Sequence, residues 1–254
     1  MSMFCDQCQE TTKGIACTDK GICGKTEDVA KLQDLLIYTL KGIAVYATQA
    51  RQIGIERKDV DEFIMESLFS TITNANFDRS CFVARIQEGL DLRDDLRADI
   101  VRAGGTMPTM VNDAVTWTTP AEGFEEKAVL VGVLATEDED VRSLRELLTY
   151  GVKGIAAYAE HAYTLQFKEE GICAFIEEAL AATLDDALTS DDLVALVLEA
   201  GKFGVDVMAL LDKANTSSYG NPALTTVYIG VRGNPAILVS GHDLKDLAEL
   251  LVQT

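Results

Sequence analysis

LQDLLIYTLKGIAVYA at residues 32–47 and LRELLTYGVKGIAAYA at residues 144–159 read as two copies of one helix, and this pairing decides the fold. Ten of the 16 positions are identical at a constant offset of 112, among them Tyr38 and Tyr150, Lys41 and Lys153, and Gly42 and Gly154. The offset persists downstream, where Phe63, Ile64, Glu66 and Leu68 answer Phe175, Ile176, Glu178 and Leu180. A repeat this long is a duplicated subdomain rather than a solenoid module. In the first copy Val29, Leu32, Leu36, Leu40, Ile43, Ala47 and Ala50 recur at spacings of three and four, one apolar stripe of a helix. Val141, Leu144, Leu148, Val152, Ile155, Ala159 and Ala162 draw the same stripe in the second.

Two further helices follow in each copy, around 59–73 and 78–103, then around 169–187 and 190–213. Thr136 and Glu139 form a possible capping box before the second copy's first helix, and Gly54, Gly104 and Gly105 are natural stops. The expected architecture is mainly α. It runs from a cysteine-rich loop (1–25) through a three-helix bundle (26–105) and a linker (106–125) to a second three-helix bundle (126–214). Residues 215–254 carry a turn signature at Gly220-Asn221-Pro222, two β-branched runs at Val227–Val231 and Ile237–Ser240, and a closing helical run. That order is the start of an α/β, Rossmann-like domain. Two strands and one helix cannot cover both faces of a sheet, so this part reads as truncated, with further α/β domains expected to complete it.

Of 254 residues, 48% are hydrophobic and 25% charged, which suits a packed globular chain. The net charge of −19 disfavours nucleic acid and anionic membrane surfaces as partners, and would suit steering of a basic redox partner. No run of 18 apolar residues is present, and the first residues are neither basic nor followed by an apolar stretch. The expected location is therefore the cytoplasm, where clustered cysteines bind metal or do redox chemistry more often than they form structural disulfides.

The chemistry concentrates in FCDQCQETTKGIACTDKGICGKT at residues 4–26, where Cys5, Cys8, Cys17 and Cys23 have the spacing C-x2-C-x8-C-x5-C. Two residues between the first pair let one tight turn present two thiolates, and longer loops bring round the others. That arrangement suits a 4Fe–4S cubane. Gly14, Gly21 and Gly24 allow close backbone approach to sulfur. Structural zinc bound by four cysteines, and disulfides, remain alternatives on spacing alone. Cys81 and Cys173 fall within helical patterns and read as inert thiols. His161, at a helix C-terminus, reads as structural. His242 stands between an apolar run and a helix start, the edge at which α/β domains place their sites.

Together, FCDQCQET, LQDLLIYTLKGIAVYA, GVLATEDEDVRSLRELL, GKFGVDVMALLDKANT and IGVRGNPAILVSGHDLKDL resemble the hybrid cluster protein family. Its members are also called prismane proteins or hydroxylamine reductases, and are relatives of nickel carbon monoxide dehydrogenases. The resemblance covers essentially the whole chain and matches the N-terminal portion of the family. It implies that Cys5, Cys8, Cys17 and Cys23 hold a 4Fe–4S cluster and that His242 ligates a second, hybrid iron–sulfur–oxygen cluster. It further implies reduction of hydroxylamine to ammonia, or of nitric oxide, by the complete protein, with electrons from a redox donor protein. In the family the hybrid cluster also needs two glutamates and four cysteines that no segment here supplies. This span alone is therefore expected to lack catalysis. A non-catalytic electron-transfer module and a zinc-stabilised helical interaction protein are the rival expectations.

Overall fold

A computed structural model of the chain describes residues 3–110, 112–241 and 243–254. Among them are eight α-helices: α1 (Glu27–Gln52), α2 (Lys58–Ser70), α3 (Arg79–Arg102), α4 (Phe124–Val131), α5 (Glu139–Thr164), α6 (Glu170–Ala182), α7 (Ser190–Tyr219) and α8 (Leu244–Gln253). The mainly α expectation holds. None of the described helices is long and apolar enough to cross a membrane.

The helix ends follow from local chemistry. Asp78 caps α3 by accepting from the backbone N–H groups of Ser80 (2.8 Å) and Cys81 (3.4 Å). Thr189 and Asp192 form a reciprocal capping box on α7. The box expected at Thr136 and Glu139 is absent: the N-cap lies two residues later, at Asp138, whose side chain accepts from Val141 N–H at 2.9 Å. Gly54 and Gly104 end their helices at φ of +77° and +71°, a conformation glycine reaches without a Cβ penalty.

The two copies do not stand apart as separate bundles. α1 packs on α3 of its own copy and on α6 of the other, while α5 packs on α7 of its own copy and on α2 of the other. The middle helices are thus exchanged. An ion cluster bridges this crossing, with Arg51 on α1 reaching Asp61 of α2 (2.5 Å) and Glu177 of α6 (2.6 Å), and Lys168 bonding Asp61 at 2.6 Å. The Asp61 and Glu177 side chains are 1% and 2% exposed, so both rely on these cations, and burial, with the neighbouring Asp61, still pushes the Glu177 pKa up.

The stretch 106–125 is packed rather than a loose linker. Arg93, 1% exposed on α3, donates to the carbonyls of Ala114 (3.1 Å) and Trp117 (2.6 Å), and Tyr46 donates to that of Val115 (3.0 Å). With α4, this stretch covers the face of α1 that carries Tyr38, Gly42 and Tyr46. The same face of α5 is bare, with Leu147, Tyr150 and Tyr158 at 53%, 55% and 41% exposed. Hence α1 buries 16 of its 26 residues and α5 only ten, although the two helices are copies of one repeat.

The strands expected at Val227–Val231 and Ile237–Ser240 do not form among the described residues. From 217 to 241 every residue is exposed, and Leu224, Ile229, Val231 and Leu238 have 94% or more of their surface open. A strand needs a paired neighbour and a covered face to be stable, and this segment has neither. α8 follows, its cap residue Asp243 accepting from Asp246 N–H and contacting His161 Nδ1 at 2.8 Å.

Duplication supplies its own control for packing at Gly42. A Cβ there would lie 2.2 Å from the Ala114 carbonyl oxygen, whereas one at Gly154 meets nothing within 4 Å. Gly42→Ala is expected to lose about 3 kcal/mol in urea unfolding, and Gly154→Ala to gain up to about 1 kcal/mol from helix propensity. Equal effects of the two changes would contradict the close approach.

Candidate metal centre

The leader is too short and polar to have a core of its own, so its shape comes from a few backbone bonds and from the helices beneath it. Cys5 and Cys17 face each other in an antiparallel bridge, exchanging N–H···O bonds of 3.1 and 2.9 Å. Opposed residues of such a pair put their side chains on one face, so two of the four thiols sit side by side. Cys8 closes a turn by accepting from Thr11 N–H at 3.3 Å. Cys23 lies in a turn closed by Gly21 N–H to the Lys25 carbonyl (2.9 Å), and its Sγ passes over Gly21, where a Cβ would stand 3.0 Å from the sulfur. All four are free thiols, with Cys17 buried, Cys5 and Cys8 half-buried and Cys23 exposed.

Burial alone would raise the Cys17 pKa. The N–H groups of Ile22 and Thr12 and the Thr12 hydroxyl outweigh it and hold the thiol below its ordinary value. Donors aimed at sulfur are what a thiolate ligand requires. Cys5 is raised by burial against the Gln7 amide and Lys25. Lys25 is 2% exposed and bonds Gln33 Oε1 at 2.5 Å, so a buried cation underlies the leader.

Gln7, between the first two cysteines, is held from three sides. Its carbonyl accepts from Tyr150 Oη (3.1 Å) and Thr73 Oγ1 (3.3 Å), and its side-chain Oε1 accepts from Lys153 Nζ (2.9 Å). Lys153 is 4% exposed and also donates to the Thr71 carbonyl at 3.0 Å. The turn is thereby fixed on both copies at their seam. A cleft of about 800 Å³ opens beside it, walled by Cys5, Cys8, Asp34, Glu146, Tyr150 and Lys153. Asp34 and Glu146 occupy equivalent positions of the repeat. Burial, with repulsion from Glu146, pushes the Asp34 pKa up to about 7 against Lys153 and Lys25. Burial and repulsion from Lys25 bring Lys153 down to about 8, which leaves it a cation at neutral pH.

The donor set fits an iron–sulfur cluster. It offers four soft thiols, amide donors to sulfur and two buried ammonium groups opposite the negative charge that thiolate ligation creates. Among the described residues no three Cys, His, Asp or Glu side chains stand close enough to share a single ion.

The other sequence candidates lie elsewhere. Cys81 accepts from Asn76 Nδ2 at 3.3 Å, and burial, then the Asp61 charge, pushes Cys173 up to about 12, an unreactive thiol. His161 packs edge-on against Phe69 at 5.2 Å and contacts Asp243. His242 lies outside the described residues. Gln7, Tyr150, Lys153 and Lys25 were not singled out from the sequence, although the Tyr-x2-Lys identity between the copies marks two of them.

The family model described as the Prismane/CO dehydrogenase family matches residues 3–254. The chain belongs to this family. Among curated relatives, a protein named hydroxylamine reductase from Desulfitobacterium hafniense (strain DSM 10664 / DCB-2) is 68% identical over 255 residues, covering 100% of this chain and 46% of the relative. Another of that name, from Clostridium botulinum (strain Langeland / NCTC 10281 / Type F), is 59% identical over 278 residues, covering 100% of this chain and 49% of the relative. This member of the prismane/CO dehydrogenase family thus spans about half the length of the curated relatives it matches.

The Asp34 shift gives a pH dependence. Its folded pKa of about 7 exceeds the ordinary 3.8, so the folded state binds more protons between these values and stability falls as pH rises through them. Asp34→Asn in metal-free protein is expected to flatten this decline and to exceed wild type near pH 8 by on the order of 1–3 kcal/mol. Urea midpoints at both ends of the range measure it, and parallel curves would contradict the assignment.

Proposed function

We propose that this span is the cluster-bearing portion of an iron–sulfur oxidoreductase, with Cys5, Cys8, Cys17 and Cys23 holding a 4Fe–4S cluster. The observation that carries this reading is the leader itself: four free thiols on one loop, one of them with its pKa lowered by hydrogen-bond donors directed at sulfur. Family membership supports it. Bound there, the cluster would supply one-electron transfer. The chain's own part is to orient the four sulfurs, to donate N–H bonds from Thr12 and Ile22 toward Cys17, and to place Lys25 and Lys153 beneath the site.

The relatives are named hydroxylamine reductase, which supports the reading that the complete protein reduces hydroxylamine to ammonia; nitric oxide is a second small nitrogenous substrate of the same reading. His242 would ligate a hybrid iron–sulfur–oxygen cluster once the remaining α/β domains are joined to this span. The cytoplasm is the compartment that keeps such thiols reduced, and a basic donor protein suits the charge of −19.

Anaerobic reconstitution tests the reading. Brown protein with about four irons and four sulfides per chain and broad absorption near about 400 nm is expected, and Cys17→Ala should lose most of it. Hydroxylamine with a reduced dye should show no turnover by the span alone. A colourless protein carrying stoichiometric zinc would overturn the assignment.

A further inference from the structure

The repeat carries the same Tyr-x2-Lys pair twice, and the two pairs hold different things. In the first copy Tyr38 bonds Asn112 Oδ1 at 3.0 Å and also Asp113, both in the stretch that covers α1. In the second copy Tyr150 and Lys153 reach the leader at Gln7, the residue that separates Cys5 from Cys8 by one step on one side and two on the other. Lys153 has almost no contact with water, and its two oxygen partners are Gln7 Oε1 and the Thr71 carbonyl. Lys41, its counterpart, makes no described hydrogen bond to the leader.

Resting on the iron–sulfur reading above, we propose that Tyr150 and Lys153 form a lock that positions the Cys5–Cys8 turn, and that the fixed ammonium of Lys153 raises the reduction potential of the cluster held there. The lock is a matter of geometry. Two residues between paired thiols leave the turn free to rotate unless it is held, and here both the carbonyl and the side chain of Gln7 are held from α5. The tuning is a matter of charge. Reduction adds an electron to an already negative centre, and a buried cation nearby stabilises the reduced state more than the oxidised one. Both residues are positioning groups, since neither is a ligand.

Two readouts on the full 254-residue chain separate lock from charge. The first is the alkylation rate constant of the Cys5 and Cys8 thiolates in metal-free protein, taken from the plateau of the pH–rate profile so that a changed thiol pKa does not enter, followed by peptide mass spectrometry, with circular dichroism checking the helical fold. Tyr150→Phe touches a half-exposed side chain and is safe for folding. It and Lys153→Met should each speed alkylation about tenfold, the loss of one or two hydrogen bonds; Lys41→Met should leave the rates unchanged. The second is the midpoint potential of the loaded cluster by electron paramagnetic resonance titration. Lys153→Met should shift it to a more negative value, Lys153→Arg should recover most of the shift, and Tyr150→Phe should not move it. Wild-type alkylation rates in both Tyr150→Phe and Lys153→Met overturn the lock, and a wild-type potential in Lys153→Met overturns the tuning. If wild-type protein takes up no cluster, the iron–sulfur reading and the tuning fall together, and the alkylation rates alone decide the lock.

Discussion

Helix α1 is buried on nearly every side, and most of the structure follows from the need to cover it. Its own copy supplies α3 and the stretch through Ala114, and the other copy supplies α6. A helix with 16 of 26 residues out of water cannot be stable in an isolated three-helix hairpin, because removing either neighbour exposes Leu, Ile and Ala side chains together. Exchange of α2 and α6 answers this by making each copy a part of the other's core. The Arg51, Asp61, Glu177 and Lys168 cluster sits at that crossing and gives it one register, since a slipped packing would strand buried carboxylates without a cation.

The leader inherits its position from the same crossing. Thr73 lies just beyond α2 and Tyr150 on α5, and these two elements meet only because the middle helices are exchanged. The surface of the protein is strongly acidic, yet the groups beneath the cysteines include two buried lysines. Both signs meet there, since Asp34 and Glu146 line the same cleft, and the lysines offset charge where the proposed ligand thiols would ionise.

Much of the helical body is legible in the sequence. The apolar stripes place α1 and α5, the offset of 112 pairs them, and the expected 78–103 and 190–213 fall within a residue or so of the starts of α3 and α7. Four features are not legible, each for a physical reason. Helix exchange leaves the periodicity of every helix unchanged. The burial of 106–125 depends on Arg93 and Gly42, which sit on other elements. The β-branched runs after Gly220 carry strand propensity, but propensity without a partner does not make a ladder. The grip on Gln7 is invisible because Tyr38 and Lys41 have the same spacing and bind something else. For the cysteines, spacing raises them as candidates, and the structure adds which donors and cations surround them.

The tether from Gln7 to Tyr150 and Lys153 spans more than half of the polypeptide. A chain emerging from the ribosome presents its N-terminus first, so the cysteines are made before the residues that immobilise their turn exist. The cysteine turn is thus made well before the contacts that settle it. On the proposed cluster reading, the thiols would be open to whatever delivers metal during that interval, and closure of the helical body, rather than folding of the leader itself, would end it.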